Sequence, residues 1–210
     1  MNKDISNGWH QSKADFFWAE QAHADHVVQV YDNDKILIDA LTEFVIGGFK
    51  AGDSSIIIAT DIHLSSLTDR IKNSGFKLEL LQAQNRFIAL DVSVVLSKFM
   101  VNDWPDETLF FKTISDIVEK IGVTGRIRAF GEMVAILWER ELHGATIHLE
   151  HLWDKFFTQH PLCLFCAYPK KAFAENYESS VQHICRMHSK LIEGCENEPN
   201  DIMYKNIPAE

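Results

Sequence analysis

Short, nearly continuous apolar runs recur along the chain at 27–31, 54–60, 86–91, 126–130 and 162–168, and their β-branched content predicts strands. The run Ser55-Ile56-Ile57-Ile58-Ala59 has no polar alternation, which predicts burial on both faces of a parallel sheet rather than a half-wet antiparallel one. The segments between these runs change period. Ile36, Ala40, Leu41, Phe44 and Val45 recur at helical spacing, with Gly47-Gly48 and Gly52 expected to end that helix. Leu64, Leu67 and Ile71 repeat the pattern before Gly75, and Phe110, Ile114, Ile117, Val118 and Ile121 run from Pro105, expected in the first turn, to Gly122. Ala145, Leu149, Leu152, Trp153 and Phe156 form a further stripe.

Strands alternating with helices predict an α/β fold with a mostly parallel central sheet of five or more strands and helices on both faces. One domain at 26–190 is expected, preceded by a helical extension at 1–25 through Phe16, Phe17 and Ala19 and followed by an acidic tail at 191–210, loose from Asn197 onward.

Composition narrows the function classes. The 210 residues are 46% hydrophobic and carry a formal charge of −10, which suits one substantial core and opposes unaided binding to nucleic acid or anionic lipid. Part of the acid sits in the tail, where Glu193, Glu196, Glu198, Asp201 and Glu210 face Lys205 alone. No apolar stretch is long enough for a signal peptide or a membrane-spanning helix. The four cysteines are confined to 163–195, unlike a disulfide framework spread over a secreted domain, so a cytoplasmic setting is expected.

In open α/β sheets ligands bind beyond the carboxyl ends of the strands, so the residues there are the first candidates for chemistry. They are Tyr31 and Asp32, then Thr60, Asp61 and His63, then Asp91 and Ser93, then Gly131 and Glu132, and finally Tyr168. Asp32, Asp61 and Asp91 read first as helix N-caps, the usual role of an aspartate between a strand and a helix. Glu132 stands out because apolar residues 133–138 follow it, which predicts burial and therefore a partner or a raised pKa; its alternative role is to complement a helix dipole. Trp138, Phe130 and Tyr168 are candidate apolar wall residues, with Glu132 and His26 as polar anchors.

Other motifs argue against specific chemistries. Gly47-Gly48-Phe49-Lys50-Ala51-Gly52-Asp53 precedes a strand, whereas a phosphate loop follows one, and the segment that does follow, 60–66, has neither glycine nor lysine. Cys163 and Cys166 lie three apart on an expected strand and so point to opposite faces, which excludes joint chelation. His148 and His151, with Glu150 between them, read as a solvated helix edge, and His183 and His188 near Cys185 are ambiguous. No metal set or catalytic triad is expected.

Several segments in combination, His26-Val-Val-Gln-Val-Tyr31-Asp32, the 126–138 stretch containing Phe130-Gly131-Glu132-Met133, Leu149-Glu150-His151-Leu152-Trp153 and Leu164-Phe165-Cys166-Ala167-Tyr168-Pro169, resemble the MEDS family of methanogen, methylotroph and DcmR-type sensory domains over 26–189. The resemblance implies a bacterial or archaeal signal-input domain with a three-layer fold similar to KaiC and RecA and a degenerate P-loop at 60–66, in which small molecules, proposed to be hydrocarbon derivatives, replace nucleotide. It places the family's polar pattern on His26, Tyr31, Glu132, Cys166, Tyr168 and His188. A non-enzymatic sensor without cofactor is therefore expected. With 22 residues after His188, its output is expected to pass through a separate protein, such as a histidine kinase or transcriptional regulator, or through homo-oligomerisation. The rivals are a degenerate nucleotide-binding protein or Mg²⁺-dependent ATPase using Glu132 and the strand-end aspartates, and a ligand-free interaction protein.

Overall fold

The computed structural model describes residues 3–5, 8–21, 25–122, 125–160, 162–173, 186–194 and 201–208. Five of its strands coincide with the apolar runs: β3 (His26–Tyr31), β4 (Ser54–Ala59), β5 (Phe87–Asp91), β8 (Ile127–Gly131) and β9 (Cys163–Pro169). The chain also forms β1 (Lys3–Ile5), β2 (Trp9–Lys13), β10 (Lys190–Gly194) and β11 (Asp201–Asn206), and the nine make one sheet in the order β1-β2-β11-β10-β3-β9-β8-β4-β5. A small ribbon of β6 (Met100–Val101) and β7 (Trp104–Pro105) stands apart. From β10 to β5 every neighbouring pair is parallel, and β11, β2 and β1 extend the sheet antiparallel.

The two flanks therefore differ from their expectation. The helix through Phe16 and Phe17 exists as α1 (Ala14–Ala19), but a strand precedes it, and part of the tail expected to be loose is β11. Ile202 is the physical reason: its buried side chain packs in the core, and Asp201 is held by Lys13 and, at 2.8 Å, by Gln11 of β2.

Side-chain alternation divides the core in two. Val27, Ile57, Phe130, Phe165 and Ala167 pack on one face against α1, α2 (Asp34–Ala51), α3 (Asp61–Asn73) and α4 (Leu78–Ala83). Val28, Ile56, Ile58, Ala129, Leu164, Cys166 and Tyr168 pack on the other against α5 (Val92–Leu96), α6 (Glu107–Val118), α7 (Met133–Glu139) and α8 (His143–Gln159). A sheet buried on both faces accounts for strands that are apolar throughout.

Two helix boundaries depart from the sequence expectation. Helix α2 runs through Gly47-Gly48 and ends at Gly52, which has a positive φ of 85°. Gly48 is there for packing, because a Cβ at that position would meet Arg128 Cδ at 2.7 Å. Pro105 belongs to β7, and α6 is capped instead by Asp106, whose carboxylate accepts from Leu109 N–H at 2.8 Å.

Candidate functional site

The chain passes from β4 through α3 to β5 on one side, and β8 lies on the other side of β4. The carboxyl ends of β4 and β8 thus form the topological switch point of the parallel sheet, where such folds place ligands. Ile58 is paired with Gly131, and Glu132 N–H donates to the Ile58 carbonyl at 2.9 Å, which brings Glu132 beside Thr60.

Glu132 is buried and its carboxylate is fully engaged. Oε2 accepts from Thr60 N–H at 2.8 Å, and Oε1 lies 2.7 Å from His63 Nδ1. Thr60 caps α3 through its hydroxyl, which accepts from His63 N–H at 3.4 Å. The other ring nitrogen of His63 lies 3.7 Å from the exposed Asp34 at the start of α2. The hydrogen bond to Glu132, with the nearby carboxylates of Glu132 and Asp34, raises the His63 pKa against the opposing effect of burial. Burial first, and the charges of Glu132, Asp34 and Glu139 after it, push the Tyr31 phenol up, so Tyr31 at the end of β3 is a neutral group facing this edge.

The strand-end aspartates do not join this network. Asp91 caps α5, accepting from Val94 N–H at 2.9 Å, while Asp32 is exposed and pairs with Lys170 at 3.2 Å. Asn33 rather than Asp32 caps α2, and Asp61 is an exposed first-turn residue of α3, whose cap is Thr60.

The remaining candidates meet elsewhere, beneath α8. His26 and Cys166 project from β3 and β9 onto the same face, with His26 Nε2 3.4 Å from Cys166 Sγ, and His188, just ahead of β10, sets its ring 3.8 Å from the His26 ring. The backbone fixes this approach, since Ser189 N–H donates to the His26 carbonyl at 2.7 Å. Tyr168 donates its phenolic O–H to Glu150 Oε1, and the Glu150 carboxylate lies 4.0 Å from His26 Nε2 and 3.9 Å from His188 Nε2. Trp138 flanks the cluster, edge-on to Tyr168 with centroids 6.4 Å apart.

Burial governs the electrostatics here. It pushes Glu150 up to about 7, with the Tyr168 hydrogen bond opposing and Asp154 reinforcing. It also raises the Cys166 thiol and the Tyr168 phenol well above their ordinary values. Burial first and the neighbouring His188 second hold His26 well below its ordinary value, against a hydrogen bond with the Met187 backbone. Cys163 belongs to the opposite core and faces away from the cluster, as its spacing from Cys166 requires.

The sequence candidates thus separate into an edge group, Tyr31, Thr60 and Glu132, and a buried group, His26, Cys166, Tyr168 and His188, with Trp138 at the latter's margin. His63, a strand-end candidate, completes the edge group, and Glu150, which was not among the sequence candidates, completes the buried one. The signal for Glu150 was its place on α8: it follows Leu149 and precedes Trp153 by three, on the buried stripe rather than the wet edge of His151. His183 and Cys185 lie outside the described residues.

Among the described residues no helix is long and apolar enough to cross a membrane. The structure is similar to that of a KaiC-like protein from the hyperthermophilic archaeon Pyrococcus horikoshii, with a TM-score of 0.52 and 11% identity over 80% of this chain and 71% of that one. This likeness establishes a RecA-like α/β sandwich. A search of curated proteins finds no match. The model of the MEDS domain, the methanogen/methylotroph, DcmR sensory domain, matches residues 25–189, spanning both polar groups and the sheet between them, and the chain therefore belongs to the MEDS family of sensory domains.

Proposed function

We propose that this chain is a signal-input domain that binds a small organic molecule at the β4–β8 edge and transmits occupancy to a separate signalling protein, such as a histidine kinase or a transcriptional regulator. The observation that carries the reading is the double engagement of Glu132, by Thr60 N–H at 2.8 Å and by His63 at 2.7 Å. In a nucleotide-binding loop the backbone N–H groups at the head of the helix after the strand receive phosphate. Here the chain's own carboxylate takes the first of them, and a polyphosphate brought to the same place would meet a negative charge. A neutral or weakly polar ligand meets no such penalty.

The edge offers such a ligand a hydrogen-bonding pair, His63 and Glu132, beside the buried ring of Tyr31 and the exposed carboxylate of Asp34. One aromatic ring beside a few polar anchors suits a short hydrocarbon derivative bearing one polar group. Because Glu132 is tied to the first turn of α3 and His63 lies close to the start of α2, a ligand that displaces either bond acts on both helices.

The test is a thermal-shift survey of the full-length chain against one- to four-carbon alcohols, amines, carboxylic acids and halogenated hydrocarbons, with ATP and Mg²⁺ as the rival arm. The reading expects stabilisation by at least one organic compound, lost in Glu132→Gln, and none by ATP with Mg²⁺. Stabilisation by ATP, or identical shifts in wild type and variant, would contradict it.

A further inference from the structure

Beneath α8, far in sequence from one another, His26, Glu150, Cys166 and His188 each present one ligand-type atom, and these four atoms all lie within 4.8 Å of one another. All four residues are buried. They come from β3, α8, β9 and the residue two before β10, so chain folding alone assembles them. Among the described residues Glu150 Oε2 has no hydrogen-bond partner, although Oε1 of the same carboxylate accepts from Tyr168. A wholly buried carboxylate oxygen without a donor is costly and calls for a partner that the described side chains do not supply.

We propose that His26, Glu150, Cys166 and His188 form a structural binding site for one Zn²⁺ ion. The donor set selects the metal: two imidazoles and a thiolate favour a borderline dication, whereas Ca²⁺ and Mg²⁺ require oxygen ligands throughout. Charge balance agrees, because a thiolate and a carboxylate neutralise a dication, and the resulting complex carries no net charge into an apolar interior. Geometry agrees as well. Bonds of about 2.0–2.3 Å in a tetrahedron place the ligand atoms roughly 3.3–3.8 Å apart. His26 Nε2 and Cys166 Sγ are 3.4 Å apart, the Glu150 oxygens lie 4.0 Å and 3.9 Å from His26 and His188, and all four ligand atoms lie within 4.8 Å of one another, so a contraction of at most about one ångström closes the set. Tyr168, by holding Glu150 Oε1, turns Oε2 toward the ion, the outer support that ligating carboxylates commonly have.

Four protein ligands leave no open position, so the site is structural rather than catalytic. It would clamp β10 and the segment ahead of it to β3, β9 and α8. It lies on the opposite face of the sheet from Tyr31 and stands independently of the ligand reading at the β4–β8 edge.

The test uses the full-length chain purified without chelator, with elemental analysis followed by Co²⁺ titration of chelator-treated protein. The expected result is about one zinc per chain, and with Co²⁺ a thiolate-to-cobalt charge-transfer band that is lost in Cys166→Ser and retained in Cys163→Ser. Wild-type protein of native circular dichroism that holds no zinc and gives no such band overturns the proposal, as does a band that survives in Cys166→Ser. Should Cys166→Ser fail to fold, Glu150→Gln serves in its place: the proposal expects Co²⁺ affinity to fall by at least about tenfold, and unchanged affinity overturns it.

Discussion

His63 Nδ1 lies 2.7 Å from Glu132 Oε1 and joins the first turn of α3 to the end of β8. Its pKa is raised chiefly by that hydrogen bond, with Glu132 and Asp34 as the carboxylates facing the ring. A histidine whose folded pKa exceeds its unfolded value of about 6.5 contributes its full stabilisation below that value and loses it as pH rises through the folded pKa. Thermal unfolding of wild type and His63→Gln should therefore show the largest gap below about pH 6.5, on the order of 1–3 kcal/mol, narrowing as pH rises through the raised folded pKa. A gap that widens with pH would show that His63 is not stabilised as the cation.

Arg128 is almost wholly buried on β8, and its Nε donates to Asp53 Oδ2 at 2.8 Å while its guanidinium lies over the Phe44 ring. Removing the carboxylate leaves a buried cation without its counter-charge. Asp53→Ala is expected to cost about 3–5 kcal/mol in urea denaturation. Gly48→Ala, which drives a methyl into Arg128 Cδ, is expected to cost about 1–3 kcal/mol. A near-neutral Asp53→Ala would mean that the pair makes no net contribution.

The C-x-x-C pair should behave as two unrelated buried sulfurs. Cys163 and Cys166 face opposite cores, and burial pushes the Cys163 thiol up to about 12. Under native conditions alkylation mapped by mass spectrometry should leave both unmodified, with labelling only on unfolding, and mild oxidants should not join them. A Cys163–Cys166 disulfide in folded protein would contradict this geometry.

The central strands were legible because both faces of β3, β4, β5, β8 and β9 are covered, which leaves a period-free apolar signature. The antiparallel extension was not. Strand β11 has the mixed pattern Asp-Ile-Met-Tyr-Lys-Asn with only its first two residues buried, and its identity depends on pairing with β2 and β10, which are remote in sequence. Glu132 was legible for the same reason as the strands, as one carboxylate in an apolar setting. Its pairing with His63 was not: His63 stood among the strand-end residues, but a histidine two residues into a helix carries no local mark of the distant carboxylate it meets. Glu150 was hidden by its neighbours: between His148 and His151 it reads as part of a polar edge, and only its phase relative to Leu149 and Trp153 puts it inside.

Native mass spectrometry of the full-length chain, wild type beside Glu132→Gln, with the stabilising organic compound and with ATP and Mg²⁺ in separate samples, tests the sensory reading most directly. The account predicts one organic adduct per wild-type chain, none on Glu132→Gln, and no nucleotide adduct on either. A nucleotide adduct on wild type that depends on Glu132, with no organic adduct, would contradict it.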